Sequence, residues 1–258
     1  MLQSKMSIRA NNYHFLIIMN DNKEEEKMGL SSFVAKEPRA LPVFILADIS
    51  GSMQGEKINE LNLALREMVS TFQNVDEIRG KFQLCIITFG SSAQVHLPLT
   101  DVEKINLVEL SANGRTAMGA AFDIVHDMIE DPTIVSHRSY TPTIVLVSDG
   151  MPTDITQEIY NSRNYEEWEP LKRLQTGDRT RKCQRLALGI GTDADEKMLK
   201  SFVADPEIPV IKAKDVRAIS KFFKWVTMST VARMSSVNPD VVQPASIIFD
   251  FDDEDIVI

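Results

Sequence analysis

The chain has 258 residues, of which 43% are apolar and 25% charged, with a formal net charge of −9. These values are typical of a globular protein, and the length supports one large core, with a single domain as the default. The acidic balance argues against a nucleic-acid partner, and the absence of any run of about 20 apolar residues argues against a membrane span.

The first part of the chain differs in pattern from the rest. Residues 1–40 show no sustained hydrophobic period and contain the charge run 21–27, so we expect a partly mobile lead-in. From Leu41 onward the pattern alternates between two periods. A continuous apolar run over 43–48 predicts a strand covered on both faces, and apolar residues at helical spacing predict an amphipathic helix over 55–73.

The same two patterns continue to the end of the last helix. They predict strands over 82–89, 94–97, 143–147, 184–190 and 209–211, and helices over 117–130, 155–176, 195–204 and 215–232. We therefore predict one domain over 41–232. Residues 233–258 follow it as an acidic C-terminal tail.

Strands that alternate with helices indicate an α/β fold. The expected architecture is a Rossmann-like, doubly wound, mostly parallel six-stranded sheet, with helices on both faces and a short antiparallel edge strand over 94–97. The strands that precede Asp48 and Asp149 should lie side by side at the centre. Ligands of such folds bind beyond the carboxyl ends of the strands, where the winding direction reverses.

Three segments place oxygen-bearing side chains in loops at this edge. Asp48, Ser50 and Ser52 follow the first strand at alternate positions, Thr116 precedes a helix, and Asp149 follows a later strand. Taken singly, each fits an ordinary turn or helix cap. Together they predict a metal site, and oxygen ligands without sulfur or imidazole suit Mg²⁺ and related hard cations better than zinc.

The pattern Asp48-x-Ser50-x-Ser52, followed by Thr116 and Asp149, resembles the metal-ion-dependent adhesion site (MIDAS) of von Willebrand factor type A (vWA) domains. The resemblance covers about residues 41–232. More narrowly, residues 41–53 and 148–154 are similar to bacterial TerY-like proteins of tellurite-resistance loci, and residues 87–90 and 98–100 add to that likeness.

The resemblance implies a role for each of the five residues. Ser50 and Ser52 would ligate the cation directly, and Thr116 would do so when a partner is bound. Asp48 and Asp149 would act through waters or as close neighbouring carboxylates. The ion would be Mg²⁺ (or Mn²⁺ or Ca²⁺), and its open position would take an Asp or Glu carboxylate of a partner protein.

Physical chemistry supports this arrangement. Neutral hydroxyl ligands leave most of the ion's charge unquenched, so the ion attracts an external carboxylate. Two aspartates supply the negative charge that holds it, against the positive end of the helix that begins near Gly55. We expect Gly51 to let the backbone turn where a Cβ would crowd the ion. Arg115 is expected to be an exposed arginine without a task, and Asp154 to form a turn or cap.

The functional expectation is a protein-binding module that performs no chemistry of its own. The TerY-like segments imply a bacterial stress-response or phosphorylation-linked complex, with a kinase or phosphatase of the same locus as partner. We expect neither a nucleic-acid nor a membrane partner. Cys85 and Cys183 lie in or beside apolar runs and form no disulfide framework, which fits a reducing compartment, so we expect the cytoplasm.

Three alternative functions compete with this expectation. An aspartyl-phosphate phosphotransferase needs a second acid two residues after its nucleophile, and Ser50 stands there after Asp48. A phosphate-binding P-loop is disfavoured because Gly55 comes too early and Glu56 separates it from Lys57. A scaffold with an unused metal site stays open, since metal occupancy is not visible in a sequence.

The acidic tail carries its own hypotheses. Residues 247–258 interleave apolar and acidic side chains, so the simplest expectation is a solvated tail. The apolar residues also allow it to add a strand to a sheet edge or to dock in a groove of a partner. A sharper hypothesis places one of its carboxylates at the open position of the metal, in the same or a neighbouring molecule.

Overall fold

The computed structural model describes residues 38–75, 80–213 and 216–240 and the two-residue strand 256–257. The expected lead-in over 1–40 and the acidic part of the tail therefore lie almost entirely outside the described residues. None of the described helices combines the length and the apolarity that crossing a bilayer requires.

The centre of the fold is a mostly parallel sheet. Its spatial order is β3-β2-β1-β4-β5-β6-β7. The strands are β1 (Arg39–Asp48), β2 (Gly80–Phe89), β3 (Ala93–Asp101), β4 (Thr143–Ser148), β5 (Gln184–Ile190), β6 (Ile211–Ala213) and β7 (Ile256–Val257). Five strands run parallel, and β3 and β7 pair antiparallel at the two edges. The predicted six-stranded α/β sheet with an antiparallel edge strand is confirmed, and β7 adds a seventh strand.

Burial explains why the central strands form. Every residue of β4 and β5 is buried, as is every residue of β1 after Arg39, which is the continuous apolar pattern of strands covered on both faces. β1 and β4 pair from Val43 opposite Thr143 to Ala47 opposite Val147. The two strands therefore end side by side, as predicted, and deliver their loops to one place.

Two helix pairs cover the sheet. The helices are α1 (Glu56–Gln73), α2 (Met118–Glu130), α3 (Gln157–Ser162), α4 (Glu169–Thr176), α5 (Glu196–Val203) and α6 (Arg217–Ser235). α1 packs against α6, and α2 packs against α4. The long amphipathic helices match their predicted bounds closely, because each buries one apolar stripe. α6 ends at Ser235 rather than at residue 232, since Arg233 and Met234 are still buried.

The predicted helix over 155–176 is wrong as a single element. It consists of α3 and α4, separated by a short 3-10 turn. Thr156 caps α3, and Arg163 ends it in the left-handed conformation at φ 52°. α4 begins anew with Pro170 in its first turn, where a proline ring is tolerated. No described residue of α3 is buried, so no apolar stripe holds the two parts in one helix.

Three strand predictions also need correction. β1 begins at Arg39 rather than at residue 43, and it pairs with β2 from Gly80 onward. β3 runs over nine residues rather than over 94–97. Its residues are partly or fully exposed, so apolar and polar side chains do not alternate strictly along it and the pattern does not mark its ends. The last parallel strand begins at Ile211 rather than at residue 209, because Pro209 has no N–H to donate to the sheet.

The end of the tail adds a strand to the sheet, which confirms one hypothesis from the sequence. Ile256 pairs with Ala213 and Val257 with Lys212, antiparallel to β6. The acidic residues 250–255 lie outside the described residues, so a tail carboxylate at the metal site stays a prediction.

The two cysteines are free and buried, as expected. Burial raises the pKa of the Cys85 thiol to about 12, and burial likewise raises that of Cys183 to about 12. Both side chains are therefore inert at neutral pH and act as small core residues.

Candidate metal centre

A buried carboxylate closes the end of the first strand. The side chain of Asp48 is completely enclosed, with the residue 0% exposed. Its Oδ1 accepts a hydrogen bond from the Ser50 N–H at 2.8 Å, and its Oδ2 accepts one from the Ser148 hydroxyl at 2.5 Å. Asp48 thereby ties the end of β1 to the end of β4.

Burial also changes the acidity of this group. Desolvation raises the pKa of Asp48 to about 6, although the hydrogen bonds from Ser148 and Ser50 act in the opposite direction. The nearby negative charge of Asp149 adds to the increase. A cation placed beside Asp48 would stabilise the ionised form of its carboxylate.

A chain of hydroxyls links the first loop to the third. The Ser50 and Ser52 hydroxyl oxygens are 3.0 Å apart, and the Ser52 hydroxyl donates to Asp149 Oδ1 at 2.8 Å. Ser50 and Asp149 are each 2% exposed, whereas Ser52 is exposed. The four side chains of the first and third loops thus form one cluster that opens to solvent at Ser52.

The second loop is docked onto the first by backbone hydrogen bonds. The N–H of Gly51 donates to the carbonyl of Gly114 at 2.9 Å, and the N–H of Asn113 donates to the carbonyl of Ile49 at 2.6 Å. These two bonds fix the position of the segment that leads to Thr116.

Thr116 is tied in turn to the third loop. Its carbonyl accepts from the Thr153 N–H at 2.9 Å, and its own N–H donates to the Thr153 hydroxyl at 3.2 Å. A Cβ placed on Gly150 would lie 4.0 Å from the Thr116 hydroxyl, so that hydroxyl faces the residue next to Asp149. The structure therefore brings the second predicted segment, which carries Thr116, next to the third.

Thr116, which taken singly fits a helix cap, does not cap the helix that follows it. Helix α2 starts after Ala117, which makes no side-chain cap bond. Asp154 supplies the cap instead, because its Oδ2 accepts from the Ala120 N–H at 3.0 Å, which confirms the expected cap role of Asp154. The Thr116 hydroxyl is thus not used by the helix. Arg115 is exposed, as expected.

The packing of the protein itself requires a glycine at Gly114. Gly114 has φ +91°, and a Cβ there would lie 2.3 Å from the Ser91 hydroxyl and 2.9 Å from its backbone nitrogen. A Cβ on Gly51 would meet no protein atom closer than 3.5 Å. The expected role of Gly51, which is to leave room for the ion where a Cβ would crowd it, concerns the ion rather than the protein atoms and stays a prediction.

Two residues of the cluster were not predicted. Ser148 clamps Asp48, as described above. Lys57 lies in the first turn of α1, and its ammonium is 2.5 Å from Asp149 Oδ2. The sequence signal for Lys57 was its position just after the Asp-x-Ser-x-Ser run, but a lysine on a helix is usually a solvated surface residue.

The donor set fits a hard divalent cation. Hydroxyls of Ser50, Ser52 and Thr116 and carboxylates of Asp48 and Asp149 are all oxygen ligands, which Mg²⁺ prefers. Within the described ranges there is no group of three or more His, Cys, Asp or Glu side chains suited to a metal. The five predicted residues thus lie together, and their role as ligands stays a prediction.

The sequence profile of the von Willebrand factor type A domain matches residues 43–225, which is more than half of the chain. The chain belongs to the vWA domain family. A comparison with curated proteins finds no match for this vWA domain.

Solved structures resemble this vWA domain in fold. Proximal thread matrix protein 1 of the mussel byssus, in a structure with a zinc-occupied MIDAS motif, is 17% identical with a TM-score of 0.56, covering 76% of this chain and 49% of its own. VWA2 of Sulfolobus acidocaldarius, a paralog of ArnB, is 20% identical with a TM-score of 0.53, over 78% and 47% of the two chains.

A third structure, a von Willebrand factor type A protein from Catenulispora acidiphila, is 17% identical with a TM-score of 0.54, over 74% of this chain and 42% of that one. This chain therefore spans half or less of the length of these structures. At such identities the likeness shows the fold, and the Rossmann-like vWA architecture is common to all of them.

Proposed function

We propose that this vWA domain is a protein-binding module that captures a partner's carboxylate through a divalent cation, Mg²⁺ in the cell. The observation that carries the proposal is the continuous contact from Ser50 through Ser52 to Asp149, with Asp48 buried behind it. Side chains from separate loops meet there.

Each residue contributes a distinct property to such a centre. Ser50, Ser52 and Thr116 offer neutral oxygens, and Asp48 and Asp149 supply the negative charge. When bound, the cation supplies a positive charge that hydroxyl ligands leave largely unquenched. Asp48 also orients Ser50 by accepting its N–H, so the hydroxyl ligands are held before an ion arrives.

The proposed function includes no catalysis. Asp48 is fully enclosed, and both of its oxygens accept hydrogen bonds from Ser50 and Ser148, so it is poorly placed to attack a substrate. Ser50 occupies the position where an aspartyl-phosphate enzyme needs its second acid. These observations favour a binding module over the phosphotransferase alternative.

The proposal also includes a biological setting. The likeness of residues 41–53 and 148–154 to TerY-like proteins of tellurite-resistance loci supports a bacterial, cytoplasmic stress-response or phosphorylation-linked complex. A kinase or phosphatase encoded at the same locus is then the proposed partner.

The first test is a calorimetric titration of the metal-free protein with Mg²⁺, Mn²⁺, Ca²⁺ and Zn²⁺. Zinc is included because the mussel protein holds it in its MIDAS motif. We expect saturable binding of one Mg²⁺ or Mn²⁺ and a rise in melting temperature. Absence of heat and of any melting shift with all four ions would favour the scaffold with an unused site.

The second test compares two Asp-to-Ala variants. Asp48→Ala should abolish cation-dependent partner capture while the fold persists, because it removes the charge behind Ser50. Asp178→Ala removes an exposed carboxylate that precedes β5 at the opposite edge of the sheet and should behave as wild type. Capture is measured by affinity purification with and without chelator, followed by mass spectrometry. Wild-type capture by Asp48→Ala would overturn the proposal.

A further inference from the structure

A lysine ammonium occupies part of the metal centre. Lys57 Nζ lies 2.5 Å from Asp149 Oδ2, while Asp149 Oδ1 accepts the Ser52 hydroxyl at 2.8 Å. The Asp149 side chain is 0% exposed and the Lys57 side chain is 30% exposed. Both oxygens of this buried carboxylate are thus engaged by groups of the protein itself.

The position of Lys57 is unfavourable unless Asp149 holds it there. Lys57 is the second residue of α1, and the amino end of a helix carries partial positive charge that disfavours a cation. Glu56, directly before it, is the only acidic residue in that first turn. The buried carboxylate of Asp149 offsets this disadvantage, so the pair belongs to the centre rather than to the helix.

We propose that Lys57 is a tethered counter-ion of the metal centre, which competes with the divalent cation for Asp149 and increases the positive charge of the loaded centre. This inference rests on the proposed function. The ionised carboxylates of Asp48 and Asp149 and the Lys57 ammonium together carry a charge of −1. A divalent cation brings that charge to +1, whereas without Lys57 it would be neutral.

Two consequences of opposite sign follow. The ammonium repels the arriving cation, so it weakens metal binding. The same ammonium attracts an external carboxylate, so it strengthens capture of an acidic partner once the metal is bound. A lysine that served only to stabilise the fold would change neither property, because its effect would be confined to the free energy of unfolding.

The chain contains a matched control for this pair. Lys81 lies 3.1 Å from the Asp101 carboxylate, and the two side chains are 29% and 15% exposed. Lys81 is the second residue of β2, so it lies at the opposite end of the sheet from the metal centre. Replacing Lys81 changes the net charge of the protein as much as replacing Lys57 does.

The experiment compares wild type with Lys57→Met, Lys57→Arg and Lys81→Met. Mn²⁺ affinity is measured by titration of the metal-free proteins. We expect Lys57→Met to bind Mn²⁺ about tenfold more tightly or better, as the loss of one unit charge at short range implies. Lys57→Arg, which keeps the charge, and Lys81→Met should stay close to wild type.

Acetate is then titrated into the Mn²⁺-saturated proteins and followed by the relaxation of water protons. We expect weaker acetate binding to Lys57→Met than to wild type or Lys81→Met. A melting curve in chelator shows whether Lys57→Met is folded. The melting temperature of Lys57→Met should fall, because buried Asp149 loses its counter-ion. Added Mn²⁺ should raise the melting temperature of Lys57→Met by more than that of wild type.

The possible results separate this inference from the proposed function. Equal or weaker Mn²⁺ binding by Lys57→Met, with wild type binding normally, overturns the role of Lys57 alone. Mn²⁺ binding by Lys57→Met but not by wild type supports it in its strongest form. Absence of Mn²⁺ binding in every variant overturns both proposals.

Discussion

Buried charged groups have different surroundings at the two ends of the parallel strands, which are called here the amino edge and the carboxyl edge of the sheet. At the amino edge, where β4 begins, the guanidinium of Arg233 donates to the carbonyls of Pro239 and Thr141 at 2.5 and 2.6 Å and to the Thr143 hydroxyl at 3.1 Å. Arg233 is 2% exposed, and every one of these bonds satisfies it locally. At the carboxyl edge, Asp48 is as deeply buried, but the charge opposite it is another carboxylate.

The pKa values of two carboxyl groups, Glu130 and Asp48, shift in opposite directions at the two edges. Burial by itself would raise the pKa of Glu130 near the amino edge, but hydrogen bonds from Thr180 and Arg179 hold it below its usual range. Burial prevails at Asp48 and raises its pKa to about 6. The amino edge is therefore arranged for stability, whereas the carboxyl edge keeps a net negative charge even with Lys57 bound to Asp149, and an added cation would offset that charge.

The largest effect on stability is expected at the amino edge. Arg233→Met should lower the free energy of unfolding by about 3 kcal/mol or more, because it leaves the buried carbonyl of Pro239 and the partly buried carbonyl of Thr141 without their donor. Urea unfolding measures this change. The affinity for Mn²⁺ should remain that of wild type, and a loss of Mn²⁺ binding in a folded variant would break the separation between the two edges.

At the carboxyl edge, removing a buried charge is expected to increase the free energy of unfolding. Asp48→Asn should stabilise the metal-free protein at pH 8 by up to about 3 kcal/mol, since it removes a carboxylate whose folded pKa is about 6 instead of 3.8. The folded state holds the Asp48 proton more tightly than the unfolded state, so wild-type stability falls relative to the variant as pH rises from 4 to 6.

Urea unfolding in chelator at pH 4 and at pH 8 tests this prediction. The stability difference between Asp48→Asn and wild type should be small at pH 4 and largest at pH 8, and the variant should bind no Mn²⁺. A variant less stable than wild type at pH 8 would show that Asp48 holds the fold together, as Arg233 does.

A smaller effect distinguishes the loops at the carboxyl edge. Gly114→Ala should lower the free energy of unfolding by about 2 kcal/mol, because the new Cβ meets Ser91. It should also weaken Mn²⁺-dependent partner capture, because it shifts the segment that carries Thr116. Gly191→Ala is the matched control, with φ +79° and no atom within 4 Å of its Cβ, so it should cost about 1 kcal/mol through backbone strain alone. Equal capture by both variants would mean that the position of Thr116 is not critical.

Much of this organisation could be predicted from the sequence, for physical reasons. The central strands and long helices bury continuous or periodic apolar surfaces, so their pattern is strong. The cluster of Asp48, Ser52, Thr116 and Asp149 could be predicted because parallel strands deliver their carboxyl ends to one edge.

The remainder depended on contacts that have no local pattern. Lys57 meets Asp149 from a different part of the chain, and its helical position resembles that of a surface lysine. The division between α3 and α4 follows from the left-handed Arg163 and from the absence of burial in α3. Gly114 is required by its approach to Ser91, which cannot be inferred without the packing of the loops.

The most direct test of the metal centre is the anomalous scattering of crystals grown with Mn²⁺. We predict one strong peak bounded by the hydroxyls of Ser50 and Ser52 and the carboxylate of Asp149, with Lys57 moved away from Asp149. Absence of a peak there at saturating Mn²⁺, with Ser52 and Lys57 still bonded to Asp149, would contradict a cation-binding centre.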